Sequence, residues 1–253
     1  MLTIVLLGTG NVAVHLFHAI RSASSAQILQ VYGRNSDALE NFKSQSAVTT
    51  VPESIVQADL YIMAVKDDAI AEVSLLLKAK KGLVAHTSGS VPLTRLANKR
   101  RAVFYPLQTF TKGISVDFSA VPICLETESK EDSQLLEGLA ASLSQTVCHI
   151  NSEQRLQLHV AAIFANNFTN YLYYLAEDVC KDEGLNFELL FPLIQETAKK
   201  IRFLPPKMAQ TGPARRRDTS TILKHLDMLS NPVPRKVYEV LSHAIQKMYE
   251  KEL

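Results

Sequence analysis

The chain is poor in several residues that would announce a special class. Three cysteines, Cys124, Cys148 and Cys180, form an odd set with no C-x-x-C spacing and no neighbouring histidine pair, which argues against a disulfide framework and a zinc site and fits a reducing, cytoplasmic compartment. Nine glycines and ten prolines in 253 residues are too few for a collagen-like or low-complexity chain. Charge of one sign is also lacking. Lys and Arg total 27 against 25 Asp and Glu, and a formal charge of +2 leaves no electrostatic footprint for nucleic acid or a membrane surface. The start, MLTIVLLGTG, has no basic leader and reaches Gly8 after seven residues, so neither a signal peptide nor a bilayer span is expected. What remains is an ordinary globular composition, 47% hydrophobic and 21% charged, in a chain long enough for one large or two modest domains.

The first half alternates short apolar runs with helical patterns. Leu2 to Leu7 is almost continuously apolar, as a strand buried on both faces of a parallel sheet requires. Asn11 to Ser22 carries Val12, Leu16, Ala19 and Ile20 at helical spacing, and Ile28 to Tyr32 reads as a second strand. Further strands are expected at Ala47 to Thr50, Leu60 to Val65, Leu83 to His86, Val103 to Tyr105, Pro122 to Glu126 and Thr146 to Ile150. Helices are expected between them at Ser36 to Ser44, Ala69 to Leu77 and Ser129 to Leu143. Such alternation predicts an α/β, doubly wound Rossmann-type parallel sheet. After residue 150 the strand signal stops. A long helical stretch from Ser152, itself a candidate N-cap, to Glu183 is followed by amphipathic helices at Leu189 to Arg202 and Val233 to Lys251, with a Pro-, Gly- and Arg-containing loop from Phe203 to Asp218 between them. The expected organisation is therefore a nucleotide-binding domain over residues 1–150 and an all-helical C-terminal domain over residues 151–253.

Gly8-Thr9-Gly10-Asn11-Val12-Ala13 matches G-x-G-x-x-A directly after the first strand and at the opening of the first helix, the context that makes the motif a dinucleotide site. Gly8 permits the tight turn, Gly10 lets a diphosphate approach the backbone, and Ala13 keeps the helix close to the sheet. No acid follows the second strand to bond a ribose 2′-hydroxyl. Arg34, Asn35 and Ser36 stand there instead, and charge complementarity to a 2′-phosphate favours NADP over NAD. Read blandly, Arg34 is a solvated turn residue and Asn35 or Ser36 an N-cap. Val65 and Lys66 end the strand beginning at Leu60 and lie where the cofactor would pass. Asp67 or Asp68 is expected to cap the helix that follows. Ser88 and Gly89, in the small polar loop His86-Thr87-Ser88-Gly89-Ser90, are expected beside the nicotinamide or the substrate, with a plain turn as the alternative.

Taken together, GTGNVA, GRNS, AVKDD, HTSGS, the Tyr105 to Phe110 segment YPLQTF and the Thr211 to Asp218 segment TGPARRRD resemble the Rossmann-like proteins that carry domain of unknown function 2520, over essentially the full length. HTSG, YPLQTF and TGPARRRD are the specific segments, since no generic dinucleotide fold demands them. More distantly, the chain is similar to the group of pyrroline-5-carboxylate reductase, ketopantoate reductase and 3-hydroxyisobutyrate dehydrogenase. This resemblance implies an active-site cleft between an NAD(P) domain and a helical domain, and a homodimer built through the helices. Carry-over is strongest for Gly8, Gly10, Asn11, Val12 and Arg34.

Within that wider group, the resemblance to the hydroxyacid dehydrogenases and ketopantoate reductase calls for a general-acid lysine on the first interdomain helix, and this chain has none between Glu153 and Cys180. His159, Ala162 or Ile163, Asn166 and Asn170 share a helical face in the comparable stretch. His159 can protonate a carbonyl or imine, with Asn166 and Asn167 orienting the substrate; both His159 and Asn166 can equally be satisfied polar groups at an interface. Tyr171, Tyr173 and Tyr174 read as packing rather than as a substrate box. Arg215 or Arg216, in the Arg215-Arg216-Arg217 run, could clamp a carboxylate or phosphate, or the run is a solvated loop face. The expected function is hydride transfer between NADP and a small, anionic carbonyl or imine compound. The alternative is a non-catalytic NADP-binding sensor or scaffold, consistent with the missing lysine.

Overall fold

A computed structural model describes residues 1–250. Its strands are β1 (Leu2–Leu7), β2 (Ala26–Tyr32), β3 (Ala47–Thr49), β4 (Leu60–Met63), β5 (Leu83–His86), β6 (Arg101–Pro106), β7 (Ile123–Thr127) and β8 (Val147–His149). Helices α1 (Asn11–Ser22), α2 (Ser36–Lys43), α3 (Ile70–Leu76), α4 (Lys130–Leu143) and α5 (Ser152–Ala162) lie between and after them. They are followed by α6 (Thr169–Asp182), α7 (Phe191–Lys200), α8 (Pro206–Ala209), α9 (Thr219–Met228) and α10 (Pro232–Met248). Lys251, the last residue of the helix expected from Val233, lies outside the described residues.

All eight strands join one sheet in the order β3-β2-β1-β4-β5-β6-β7-β8. Adjacent strands are parallel except β6 and β7, which are antiparallel. The central strands are apolar on both faces because helices cover both. Ile4, Leu6, Ile62, Ala85 and Phe104 pack in one core with Phe17 and Ile20 of α1 and Leu136 of α4. Val5, Tyr61, Met63, Val84 and Val103 pack in a second with Ile70 and Val73 of α3. Each fully buried aliphatic side chain contributes about 2 kcal/mol by leaving water.

The chain forms two compact units, residues 1–167 and residues 168 onward. The stretch predicted as one helix from Ser152 to Glu183 is interrupted by a π-helical turn at Ile163–Phe168. The N-cap of α5 is Asn151 and not Ser152: Asn151 accepts from the Gln154 backbone N–H at 2.8 Å while the Gln154 side chain accepts from the Asn151 N–H at 3.0 Å, a capping box. Ser152 is thereby free for another partner. In the second unit few side chains are buried, among them Leu175, Ala214, Ile222 and Tyr249. Large apolar groups there, such as Leu189, Leu193 and Phe203, face solvent.

Candidate functional site

Six of the seven inter-strand steps are parallel, and the strands β1, β4, β5 and β6 all end at the same edge of the sheet, so their following loops gather there. At β1 the turn is set by Gly8, whose φ of +123° is in the region that favours glycine, and a Cβ there would lie 2.1 Å from the Ala64 carbonyl oxygen. Its neighbour Gly10 is exposed, and a Cβ on it would meet nothing within 4 Å. Gly10 is also the N-cap of α1, which has no capping side chain and no acid in its first turn. The first N–H groups of α1 are thus available to an anion. Thr9 and Val12 are half-buried beside this turn, and the Asn11 amide donates to the Phe110 carbonyl at 2.9 Å, tying the turn to YPLQTF.

At the end of β2, Arg34, Asn35 and Ser36 are all exposed. Asn35 is the N-cap of α2, its Oδ1 accepting from the N–H groups of Asp37 at 2.9 Å and Ala38 at 3.3 Å. Arg34 makes no hydrogen bond or ion pair among the described residues. An open glycine turn, an uncapped helix N-terminus and an unpaired guanidinium at the next strand end are what a phosphorylated dinucleotide needs, so the residues present fit NADP.

After β4, Val65 is half-buried and Lys66 exposed. Neither Asp67 nor Asp68 makes a side-chain cap: the N-cap of the short 3-10 turn Asp67–Ala69 is Lys66, and α3 starts from Ala69, both without a cap bond. Asp67 instead accepts from the Ser90 hydroxyl at 2.5 Å, joining the loops after β4 and β5. The second of these loops is closely hydrogen-bonded. Ser88 Oγ accepts from the N–H groups of Ser90 and Val91 at 3.1 and 3.0 Å, and the Ser88 N–H donates to His86 Nδ1 at 3.2 Å. Accepting there puts the His86 proton on Nε2, which is buried without a partner among the described residues. Burial, aided by the nearby Arg155 cation, pushes the His86 imidazolium pKa down to about 4.

Gly89 lies at the centre of this edge. A Cβ on it would stand 2.7 Å from His159 Nδ1 and 2.9 Å from the Tyr105 ring, so only glycine lets the β5 loop close on that pair. The Tyr105 hydroxyl and His159 Nδ1 are 3.1 Å apart, with the rings edge to face. Burial pushes the Tyr105 phenol up to about 12, keeping it protonated through the neutral range. Beside the pair is a cavity of about 390 Å³, lined by Tyr105, Gln108, His159, Asn166 and Asn167 together with apolar groups such as Leu107 and Leu158. Asn166 and Asn167 reach it from the π-helical turn, a geometry that recurs where helices carry functional groups.

Two residues that sequence reasoning did not place here hold the arrangement. Tyr105 enters the sequence reading as the end of the strand from Val103 and as part of YPLQTF, and that place at a strand end on the ligand edge is the signal for it. Arg155, 1% exposed, is the other: it bonds Glu126 Oε2 through Nη1 and the Val91 carbonyl through Nη2, the latter at 2.6 Å. Ser152 Oγ completes the network, donating to Glu126 at 2.9 Å and accepting from the Leu93 N–H at 3.0 Å. One helical turn separates Arg155 from His159, so this ion pair sets the register of the histidine against the β5 loop.

In the second unit, Arg215 is occupied: Nη1 donates to the Gln210 carbonyl and its guanidinium sits 5.1 Å from the Tyr249 ring centroid. Arg216 is exposed and makes no hydrogen bond or ion pair among the described residues, although, after the Thr221 hydrogen bonds, its charge helps hold the Asp218 carboxyl below its ordinary value. Arg217 adopts φ of +55°, which shapes the loop, and Asp218 caps α9 through the Thr221 N–H at 3.1 Å. Tyr171 and Tyr174 stack on one another at 5.9 Å and are exposed. No group of three or more His, Cys, Asp or Glu could hold a metal ion among the described residues. Among these residues, too, no helix is long and apolar enough to cross a membrane.

Comparison with known proteins agrees with this geometry. The family described as Domain of unknown function (DUF2520) matches residues 121–245, and that described as NADP oxidoreductase coenzyme F420-dependent matches residues 3–88. No curated protein matched in sequence. Among solved structures, a protein provisionally named an NADP oxidoreductase from Bacteroides fragilis is 41% identical over 97% of this chain and 98% of its own, with a TM-score of 0.89. Fold alone is shared with the pyrroline carboxylate reductase of Plasmodium falciparum solved with NADP bound (14% identity, 98% of each chain, TM-score 0.57). The same holds for an imine reductase of Streptomyces aurantiacus (12% identity, 96% of this chain and 93% of that one, TM-score 0.66). With its glycine turn, its unpaired Arg34 and a 41% identical relative along its whole length, the chain belongs to the DUF2520 family of Rossmann-type NADP oxidoreductases.

Proposed function

We propose that the protein transfers a hydride between NADP and a small, anionic carbonyl or imine compound, with His159 as the proton donor. The observation that carries this is the Tyr105–His159 pair packed on Gly89, at the same sheet edge as the glycine turn. NADPH, when bound, supplies the hydride. Gly8, Thr9, Gly10, Asn11 and Val12 receive its diphosphate on the N-terminus of α1, Arg34 pairs with the 2′-phosphate, and Val65, Lys66, Ser88 and Gly89 flank the rest of the cofactor. Tyr105 engages His159 Nδ1 and so leaves Nε2 as the nitrogen that delivers a proton to the substrate oxygen or nitrogen. Asn166 and Asn167 orient the reacting end. Of the two arginines proposed as an anion clamp, Arg216 is the one with no hydrogen bond or ion pair among the described residues, whereas Arg215 is held by Gln210 and Tyr249.

In this reading residues 1–150 carry the nucleotide, and residues 151–253 serve the substrate and a homodimer. The exposed Leu189, Leu193 and Phe203 of a unit with so few buried groups support association through the helices. The reading is tested by titrating the protein with NADPH and NADH and then following NADPH oxidation over a panel of keto acids and cyclic imino acids. NADPH should bind at least about tenfold more tightly than NADH, a preference that Arg34→Ala removes. Turnover of one panel member should be lost in His159→Ala and show a raised KM in Arg216→Ala. NADPH binding without turnover on any compound would favour the sensor; no binding of either nucleotide would overturn both.

A further inference from the structure

Cys124 and Cys148 occupy partner positions on β7 and β8, the last two strands of the sheet. In a parallel pair, partner residues project to the same face with their backbones about 4.8 Å apart, inside the Cα range that a disulfide spans. Their sulfurs lie 3.2 Å apart as free thiols. Cys148 is half-buried at the margin of the second core, whereas Cys124 is 1% exposed and sits inside that core with Tyr105, its own partner across the β6–β7 pair. Cys180, on α6, belongs to the other compact unit. Nothing in the proposed hydride transfer uses either sulfur.

We propose that Cys124 and Cys148 are a peroxide-sensitive dithiol that closes to a cross-strand disulfide. Exposure fixes the order of events. The Cys148 thiolate attacks one oxygen of hydrogen peroxide, the O–O bond breaks, and the departing hydroxide takes up a proton to become water, leaving Cys148 as a sulfenic acid. The Cys124 sulfur then attacks the Cys148 sulfur, the S–O bond breaks, and the hydroxyl leaves with the Cys124 proton as a second water. Two thiols give up two electrons and two protons, and the peroxide is reduced to two waters. Burial holds Cys124 protonated, with its thiol pushed up to about 12, which is why it waits for the Cys148 sulfenic acid instead of meeting peroxide itself. Because β8 is the edge strand, the small backbone adjustment that the bond requires falls where only one neighbour resists it.

The sequence makes the test direct, since trypsin places Cys124, Cys148 and Cys180 in three different peptides, residues 113–130, 131–155 and 156–181. The reduced full-length protein is treated with hydrogen peroxide, alkylated and digested, and the peptides are weighed. Expected is a 113–130/131–155 linked pair, two hydrogens lighter than the sum of its parts, with Cys180 fully alkylated and the link reversed by dithiothreitol. In Cys124→Ser the Cys148 sulfenic acid should persist and be trapped by dimedone, and in Cys148→Ser the remaining Cys124 should stay alkylatable at the same peroxide dose. A wild-type digest in which Cys148 is over-oxidised while Cys124 remains alkylatable would overturn the proposal, as would a link from either cysteine to Cys180 or to a second chain. The wild-type result decides the matter whether or not the variants fold.

Discussion

The hydroxyl of Tyr105, on β6, and Nδ1 of His159, on α5, are 3.1 Å apart although 54 residues separate them in sequence. The bond fixes which imidazole nitrogen is left for the proposed proton transfer. Replacing His159 by Ala should lower kcat about 10²-fold or more, the usual scale of a lost general acid. Tyr105→Phe keeps the ring and loses only the bond, so kcat should fall about tenfold with little change in KM, and steady-state kinetics on the compound found by the panel would show the split.

The two glycines of the nucleotide turn should respond differently to the same substitution. Gly8→Ala drives a methyl to 2.1 Å from the Ala64 carbonyl in a backbone conformation that alanine avoids, so thermal unfolding should shift down by several degrees, about 2 kcal/mol or more. Gly10→Ala meets open space. Its melting temperature should match the wild type while NADPH affinity, measured by calorimetry, falls about tenfold or more because the methyl stands where the diphosphate must approach.

His86 makes stability depend on pH. Its pKa is lowered from an ordinary 6.5 to about 4 in the folded protein, so between those values the unfolded chain binds a proton that the folded one does not. The sign of the linkage is that this contribution is fully present above pH 6.5 and is lost as pH falls toward 4, with an upper bound of about 3 kcal/mol. Urea unfolding at pH 7 and pH 5 should show the loss in the wild type. In His86→Asn, whose side chain does not titrate, the difference should be smaller by about the amount assigned to pH 5, near 2 kcal/mol.

Arg155 is a positioning residue whose removal strands a carboxylate. With Arg155 1% and Glu126 14% exposed, Arg155→Met should destabilise the protein by about 3 kcal/mol, and adding Glu126→Gln should restore part of it. Urea midpoints for the two single variants and the double variant measure the coupling. A kinetic consequence is expected too, since α5 then loses its hold on the Val91 carbonyl and the His159 ring is less well placed: kcat should fall more than stability alone explains at a temperature where the variant remains folded.

Much of the architecture was legible because the sequence states it locally. Leu2 to Leu7, Asn11 to Ser22 and Leu83 to His86 are found at the predicted boundaries, each an apolar or periodic run closed by glycine or small polar residues. The glycine turn was readable for the same reason. What was hidden depends on partners distant in sequence. Nothing near Arg155 reveals that Glu126 awaits it, and an arginine in an amphipathic helix ordinarily reads as solvated. Ser152 looked like a cap because its neighbour Asn151 fills that role equally well, and only the Glu126 carboxylate decides between them. Asp67 gave the same trap, a helix-start acid that bonds a serine 23 residues away. The π turn at Ile163–Phe168 left no mark in the periodicity, which is why one long helix was expected.

The single reversal in the sheet decides how the chain comes back to the edge that carries the glycine turn. A β7 running with its neighbours would have ended among the nucleotide loops, and the helix after β8 would have set out from that end and travelled away. Running backwards, β7 begins opposite Pro106 and finishes opposite Ala102, and β8 follows it. α5 therefore starts its climb from the far side, anchored at Glu126, and seven residues at about 1.5 Å each carry it roughly 10 Å to His159. The direction of one strand sets the address of the side chain proposed to move the proton.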